Sequence, residues 1–281
     1  MEQNMTALVS LFARAYHQKS KDIKIFDDPL STKLITKKEY EMIRLSMSQG
    51  ISFFNPNFKG SKEEALKWIV DHQLSPSVLL RSAFCKEAIE EMKEKGCKQY
   101  LDFASGYDSF AYYYQNQMHV FEIDKKEVIE DKRQRCKDVD IENIQFLSID
   151  LSQENWINTL LQSDYQEDQL SISSMLGLSY YLTKDEFKKM LKQLSKYLLK
   201  GSRLVFDYPS IQESKEAKIN EMLAKRANES MKAKYSFAEL KEILNQCHQT
   251  MTEKYISNYN AYYKDDPIKA PEGVCYCVVE K

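Results

Sequence analysis

Several features that would assign this 281-residue chain to a common class are missing from its sequence. No apolar run approaches the ~18 residues that a membrane span needs, and the first residues lack the basic segment and apolar core of a secretory signal. Lysine and arginine (40) nearly balance aspartate and glutamate (42), so there is no basic field to attract nucleic acid or an anionic membrane. We therefore expect a cytoplasmic protein that binds neither.

Metal-site and triad patterns are also missing. The six cysteines include no CxxC pair and no neighbouring histidine pair at zinc spacing. Cys275 and Cys277 share one face of a predicted strand, a pattern that more often marks two small buried residues. The four histidines are scattered over different predicted elements, which gives a His-centred triad little support. We expect reduced thiols and no metal.

Glycine is scarce, with only 7 residues, so each one is expected to meet a need of the backbone. Gly96 and Gly201 fit the position that follows a helix, directly before two predicted strands. Gly106 and Gly177 instead follow predicted strand ends, where α/β proteins place their ligand sites. These two glycines are the candidates for a functional role.

What the chain does contain is a regular alternation of strands and helices. This order predicts an α/β fold with a seven-stranded, mostly parallel, doubly wound sheet of the Rossmann-like kind. The last two strands follow each other without a helix, which predicts a terminal antiparallel hairpin and favours a class I methyltransferase sheet. The predicted strands are 98–104, 118–123, 144–149, 169–176, 202–208, 249–257 and 273–281.

Two regions are predicted from the order of the predicted elements. Residues 1–75 contain no convincing strand and are interpreted as an N-terminal helical cap over the active site. Residues 76–281 would form the Rossmann-like methyltransferase domain. Within it, the Lys/Glu-rich segment 213–234 has few large apolar residues and is predicted to be an exposed helix with a solvated face.

Helix starts are marked by local polar patterns. A serine or threonine followed three residues later by glutamate is the capping box, which satisfies free N–H groups at a helix start. Ser75 and Pro76 suit the Ncap and N1 positions of a helix that runs to about Lys95. The capping boxes are Ser61 with Glu64, Thr183 with Glu186, and Ser236 with Glu239.

The most informative stretch is residues 98–124, KQYLDFASGYDSFAYYYQNQMHVFEID. It reads as a strand, a glycine turn, a helix-length spacer and a second strand that ends in an acid. Asp124 lies 18 positions after Gly106 (124 − 106), where a carboxylate can accept both hydroxyl groups of a ribose. Glu122, on the same strand face, could assist Asp124 or be solvated.

The third predicted strand ends in Asp150 and Leu151. This acid could accept a hydrogen bond from an adenine amino group while its neighbour packs on the ring, although an isolated aspartate there is more often a helix cap. Together with Gly106 and Asp124, it predicts an adenosine-shaped pocket at the sheet edge.

With these landmarks the chain resembles the leucine carboxyl methyltransferase family, which includes polyketide carboxyl O-methyltransferases and uses S-adenosylmethionine. The resemblance covers most of the chain. It is carried by Thr6-Ala7, Arg14-Ala15, IFDDPLS at 25–31, Arg81, FASGYDS at 103–109, FEID at 121–124 with Lys132, DL at 150–151 with Trp156, GLSYYL at 177–182, and Ser236-Phe237.

The resemblance implies roles for individual residues. Arg81 would hold the methionine carboxylate, Gly106 would approach the cofactor, and Asp124 would bind the ribose. Asp150 with Leu151 would bind adenine. Arg14, from the cap, would approach the same carboxylate or the substrate.

The chain also departs from the family. The family usually has Glu-Gly after the fourth strand, where this chain has Leu176-Gly177, so a pocket carboxylate is missing. Arginines are usual where Phe110 and Tyr113 stand, and an aspartate where Cys85 stands. Either the substrate pocket is refitted or cofactor affinity is weaker.

The implied function is an S-adenosylmethionine-dependent O-methyltransferase that acts on a small-molecule carboxylate or hydroxyl by in-line transfer, a reaction in which alignment can supply ~7–11 kcal/mol. No catalytic residue is assigned, and Tyr107, Tyr180, Tyr181 and Tyr208 are candidates for the acceptor pocket. One alternative is a catalytically degenerate cofactor-binding or interaction protein, motivated by Leu176. Another is a nicotinamide oxidoreductase, which the lack of GxGxxG disfavours.

Overall fold

A single sheet forms the centre of the protein. The computed structural model describes residues 4–20, 24–212, 214–226, 229–248, 250–251, 268–269, 271 and 273–281. The strands are β1 (Gln99–Phe103), β2 (His119–Asp124), β3 (Ile144–Ser148), β4 (Ser171–Met175), β5 (Arg203–Pro209), β6 (Thr250–Met251) and β7 (Val274–Glu280). The predicted α/β fold is confirmed. Most of the predicted strand 249–257 lies outside the described residues.

The strand order is β3-β2-β1-β4-β5-β7-β6. Strands β1 to β5 are parallel, whereas β7 runs antiparallel to β5 and β6 runs antiparallel to β7. Because β1 pairs with β2 on one side and with β4 on the other, the chain leaves β1 and β4 in opposite directions. A crevice opens at such a switch point, beyond the carboxyl ends of the strands.

Twelve α-helices surround the sheet in the part of the chain that the structure describes. The first six precede β1, and the others lie between or after the strands. They are α1 (Met5–Ser20), α2 (Ser31–Leu34), α3 (Lys37–Gln49), α4 (Ile51–Phe54), α5 (Lys62–Ile69), α6 (Ser75–Glu94), α7 (Phe110–Tyr114), α8 (Lys126–Arg135), α9 (Trp156–Leu161), α10 (Lys184–Tyr197), α11 (Lys215–Arg226) and α12 (Phe237–Gln246).

Alternate strand residues face two hydrophobic layers, because successive side chains of a strand point to opposite faces. Tyr100 packs in the layer formed with α1, α6 and α7, while the next residue, Leu101, packs in the layer formed with α9, α10 and α12. Val205 and Phe206 divide in the same way. Both faces of the sheet are therefore covered, as a doubly wound fold requires.

The helices before β1 include one uninterrupted run. Helix α5 continues through a π-helical turn, Val70–Leu74, directly into α6. Ser75 therefore has helical dihedral angles, and its predicted role as an Ncap is wrong. Pro76 cannot donate to the preceding turn, and the wider π turn accommodates it. The division of the chain after residue 75 stays a prediction.

The three predicted capping boxes are confirmed at Ser61, Thr183 and Ser236. A fourth, Thr36 with Glu39, starts α3. Gly96 follows α6 with a φ of +84°, as predicted, but Gly201 does not follow a helix directly. Helix α10 ends at Tyr197, and Gly201 lies in the turn before β5 with a φ of +92°.

Among the described residues, no helix combines the length and apolar character that a membrane crossing requires. All six cysteines are free thiols. In the same described ranges, no three histidine, cysteine, aspartate or glutamate side chains are grouped for a metal ion.

Candidate functional site

A large cavity lies at the carboxyl ends of the parallel strands, near the point where β1 and β4 diverge, and has a volume of about 970 Å³. Residues at the carboxyl ends of β1, β2, β4 and β5 form one part of its wall. Helices α1, α3, α4, α6 and α11 contribute a second part. The volume is near the upper end of the ~300–1,000 Å³ range of ligand pockets.

Helix α11 belongs to this wall, which corrects the prediction of a solvated helix at 213–234. Ala217, Asn220 and Leu223 line the cavity, and Ile219 is buried against Phe54 of α4. The apolar side chains of this Lys-rich helix thus close the cavity together with the N-terminal helices.

The turn after β1 brings a backbone N–H group onto a carboxylate. Gly106 has a φ of +49°, and its N–H donates to Asp124 Oδ2 over 2.8 Å. A Cβ at Gly106 would lie 3.2 Å from the Cβ of Ala7 in α1. A side chain here would therefore be strained and crowded. The structure brings Gly106 and Asp124 together, as the sequence predicts.

The other oxygen of Asp124 accepts a hydrogen bond from the N–H of Lys125 over 2.7 Å. Burial raises the pKa of Asp124, although these two N–H groups act in the opposite direction. A carboxylate has about four acceptor positions, so Asp124 can accept two further hydrogen bonds. It lines the cavity and is available to a ligand with paired hydroxyl groups.

Ala104 lies two residues before Gly106 and has a φ of +54°. This left-handed conformation costs a residue with a Cβ roughly 1–2 kcal/mol. Ala104 lines the cavity, and strained backbone of this kind is concentrated at functional sites.

A buried ion pair lies beneath the glycine turn. Lys132 of α8 donates to Glu122 of β2, and both side chains are fully buried. Burial favours the neutral amine, but the carboxylates of Glu122, Asp102 and Asp108 outweigh it and raise the pKa of Lys132. Glu122 therefore neither binds alongside Asp124 nor is solvated. It anchors β2 to α8.

Asp102, in β1, is also buried and lines the cavity. Its Oδ1 accepts from Ser174 Oγ over 2.7 Å, while Oδ2 has no hydrogen-bond partner among the described residues. Burial and the neighbouring Asp108 raise the pKa of Asp102 well above its usual range. The wall beneath the turn thus has an excess of carboxyl groups.

Arg81, in α6, lines the same cavity with 18% of its side chain exposed. Its Nη2 donates to Ser10 Oγ over 3.1 Å, and Nη1 lies 3.8 Å from Asp207 Oδ2. The guanidinium lies directly over Gly177: a Cβ added to this glycine would be only 2.8 Å from Nη1 of Arg81. Gly177 also has a φ of +72°, so both its backbone and its surroundings exclude a side chain.

Asp207 was not predicted to be part of the site. This residue of β5 is buried and lines the cavity. Its Oδ1 accepts from the N–H of Gly177 over 2.6 Å, and its Oδ2 accepts from the Tyr180 hydroxyl over 3.1 Å. The signal that could have revealed it is a single acid inside the apolar strand LVFDYP.

Arg14 reaches the site from α1 and lines the cavity, but its Nε and one Nη2 donor are engaged by the protein. Its Nε donates to Asp28 Oδ2 over 2.8 Å, and its Nη2 donates to the carbonyl oxygen of Tyr107 over 2.6 Å. The Tyr113 hydroxyl donates to the other oxygen of Asp28 over 2.8 Å. Arg14 therefore fastens the N-terminal helices to the glycine turn.

Asp150 and Leu151 are not among the described residues that line the cavity. The N–H and hydroxyl of Ser152 both donate to Asp150 Oδ1, over 3.0 and 2.7 Å, which lowers the pKa of Asp150. Leu151 packs on the hydrophobic layer below α9 and α10. The structure thus places Asp150 as the cap of its own turn.

The four candidate tyrosines separate into two groups. Tyr180 and Tyr181 line the cavity beside Arg81. Tyr107 also lines it, but its hydroxyl donates to Asp131. Tyr208 is buried against Phe206 and Tyr235 on the opposite face of β5, so it is not part of the cavity wall.

Comparison with known proteins gives a family and relatives. The family model described as leucine carboxyl methyltransferase matches residues 7–195. The Bacillus subtilis (strain 168) protein YktD, whose name places it among S-adenosyl-L-methionine-dependent methyltransferases, is 30% identical over 259 residues. The match covers 86% of this chain and 85% of YktD.

Solved structures share the fold. A DUF574 family protein from Streptomyces avermitilis superposes with a TM-score of 0.65 at 12% identity, covering 98% of this chain and 97% of its own. Magnesium protoporphyrin IX methyltransferase (ChlM) from Synechocystis PCC 6803, solved with bound SAH, superposes with a TM-score of 0.51 at 12% identity, covering 86% and 99%.

Proposed function

Since this chain belongs to the leucine carboxyl methyltransferase family and is an S-adenosylmethionine-dependent methyltransferase, we propose that it methylates the carboxylate of a small, largely apolar acid in the strand-end cavity. The observation that carries the proposal is that Gly106 with Asp124, and Arg81 with Asp207, line one cavity. The first pair suits a ribose, and the second suits an amino-acid group.

The residues present fit this cofactor. Asp124 retains acceptor positions for two ribose hydroxyls, and Gly106 lets a ligand approach the backbone. The planar guanidinium of Arg81 matches the two oxygens of a carboxylate. Adenine recognition by Asp150 and Leu151 stays a prediction, in which Asp150 would exchange its bonds to Ser152 for bonds to the base.

When bound, the cofactor would supply a methyl group on a positively charged sulfur; the acceptor oxygen would bond to the methyl carbon while the sulfur leaves, in line, as a neutral thioether. The protein's part is to hold both reactants, and orientation can contribute ~7–11 kcal/mol in favourable cases. Met47, Phe53, Leu74 and Val78 give one part of the wall an apolar surface that suits the body of an acid acceptor.

The tyrosines favour a carboxylate acceptor over a hydroxyl. Burial raises the pKa of Tyr181 to about 12 and raises the pKa of Tyr180 well above its usual range, so neither is a base at neutral pH. None of the four histidines is among the described residues that line the cavity. A carboxylate is already ionised at pH 7 and needs no base.

Calorimetry with S-adenosylhomocysteine tests the cofactor site. We expect micromolar binding to the wild type and a large loss of affinity in Arg81→Ala and Asp124→Ala. Arg44→Ala is the matched control, because Arg44 pairs with Glu41 in the cap and does not line the cavity. A folded wild type that releases no heat would contradict the proposal.

A turnover screen tests the acceptor. Labelled S-adenosylmethionine is incubated with panels of aliphatic acids, aromatic acids and phenols, and methyl esters and ethers are counted separately. Turnover of acids supports the proposal, whereas turnover of phenols alone refutes the carboxylate assignment. Cofactor binding without any turnover would favour the degenerate, non-catalytic alternative.

A further inference from the structure

The wall around Arg81 contains a buried acid on a neighbouring strand. Leu176 stands where the pattern has a glutamate, and it lines the cavity without charge. On the neighbouring strand, Asp207 lies against Arg81. Resting on the function proposed above, we propose that Asp207 is the positioning residue for the amino-acid half of the cofactor and replaces the glutamate missing at position 176.

The geometry ties Asp207 to both groups that border Leu176. Strands β4 and β5 are parallel neighbours, so their carboxyl ends lie side by side. One oxygen of Asp207 accepts the N–H of Gly177 over 2.6 Å, which fixes the turn directly after Leu176. The other oxygen faces the guanidinium of Arg81, which lies over the same glycine. A carboxylate therefore reaches this point from β5.

The distance between the charges allows Arg81 to be oriented and still bind a ligand. At 3.8 Å, Nη1 of Arg81 is within ion-pair range of Asp207 Oδ2 but beyond a hydrogen bond. The hydrogen bond that the structure shows for the guanidinium runs from Nη2 to the neutral hydroxyl of Ser10. Asp207 thus steers the cation electrostatically, leaving Nη1 donors for the α-carboxylate of the cofactor.

The exposure of Asp207 shows how it acts. Only 1% of its side chain is exposed, whereas 18% of the Arg81 side chain is exposed. The ligand therefore meets Arg81, and Asp207 acts through it. Removing the negative charge should weaken recognition of the amino-acid group and leave recognition of adenosine intact.

The test is Asp207→Asn, which changes the charge and little else. The amide retains an oxygen for the N–H of Gly177 and an N–H that can donate to the Tyr180 oxygen. Calorimetry compares S-adenosylhomocysteine with 5′-methylthioadenosine, which has the adenosine and sulfur but lacks the amino-acid group. We expect the Kd for S-adenosylhomocysteine to rise by about tenfold or more, and that for 5′-methylthioadenosine by less than about threefold.

Two further variants keep the result decisive. Asp185→Asn makes the same charge change at the exposed start of α10, away from the cavity, so it should not weaken one ligand selectively. Leu176→Glu in the Asp207→Asn background returns a carboxylate to the turn and should restore affinity for S-adenosylhomocysteine. Thermal melts show whether each variant is folded. If Asp207→Asn alone does not fold, the two ligands are compared on the double variant.

The outcomes separate this inference from the proposed function. Equal losses for both ligands in Asp207→Asn, no loss, or a folded double variant without recovery would each overturn the role of Asp207. If the wild type binds neither ligand, the cofactor site itself fails. If Asp207→Asn loses affinity only for S-adenosylhomocysteine and the double variant regains it, the result supports the inference that the carboxylate at position 207 replaces the one missing at position 176.

Discussion

Replacing Lys132 with methionine would leave the carboxyl group of Glu122 without its partner in a fully buried position beneath the glycine turn. Breaking a buried pair by removing one partner costs about 3–5 kcal/mol. Because total domain stability is about 5–15 kcal/mol, the variant should lose a substantial part of it. The same loss would lower the melting temperature by roughly 2–4 °C per kcal/mol in a protein of this size.

The loss should depend on pH in a defined direction. Burial raises the pKa of Glu122 even beside Lys132, which acts in the opposite direction, so removing Lys132 should raise this pKa further above its unfolded value. A group with a raised folded pKa binds more protons in the native state, so stability falls as pH rises through that interval. Lys132→Met should therefore be more destabilised, relative to wild type, at pH 7 than at pH 5.

The assay is urea unfolding followed by circular dichroism at both pH values. Lys126→Met is the matched control on the same helix, because Lys126 and Glu130 are 71% and 59% exposed and lie 3.8 Å apart. Such surface pairs contribute less than about 0.5 kcal/mol. A loss in Lys132→Met that equals the control, or that grows toward pH 5, would refute this reasoning.

Three more perturbations test other parts of the molecule. Asp124→Asn should weaken S-adenosylhomocysteine binding about 100-fold or more, since two charge-assisted bonds to the ribose contribute ~1.5–3 kcal/mol each. Asp150→Asn should change the affinity by less than about tenfold. If calorimetry gives the reverse order, the proposed site is contradicted. Ala104→Gly should raise the urea midpoint, because relief of left-handed strain stabilises the native state by up to about 1 kcal/mol, and a lower midpoint would contradict it. The guanidinium of Arg135 lowers the pKa of Glu39 to about 2. Its folded pKa lies below the unfolded value, so the stability lost in Glu39→Gln at pH 7 should fade between about pH 4.5 and pH 2, and a constant difference in acid unfolding would refute this.

The site could be predicted where its parts lie close in sequence. Gly106 and Asp124 belong to one strand-turn-helix-strand unit, so their spacing alone placed them at one sheet edge. The pairing of Arg81 with Asp207 joins α6 to β5, and no local pattern connects two positions so far apart in the chain. Long-range ion pairs of this kind need the fold before they can be seen.

Strand geometry explains another difference. Tyr208 was a candidate for the acceptor pocket because it is near the end of β5. Adjacent residues of a strand face opposite sides, so when Asp207 lines the cavity, Tyr208 must enter the hydrophobic layer below. A prediction based on proximity to a strand end must also establish which face of the sheet each residue occupies.

The helix at 215–226 is another element whose environment the sequence did not reveal. Its Lys/Glu-rich composition favours a solvated helix, yet Ile219 and Leu223 pack against the helices before β1. Two apolar residues one turn apart are enough to bury one face of a helix when a neighbouring apolar surface is available. Composition predicts the exposed side of such a helix and misses its buried side.

The most direct test of the whole account is a crystal structure of the protein grown with S-adenosylhomocysteine. We expect the ligand in the strand-end cavity, with its ribose hydroxyls on Asp124 and its carboxylate on Arg81 above Gly177. A ligand bound elsewhere, or bound in this cavity without contact to Asp124, would contradict the account.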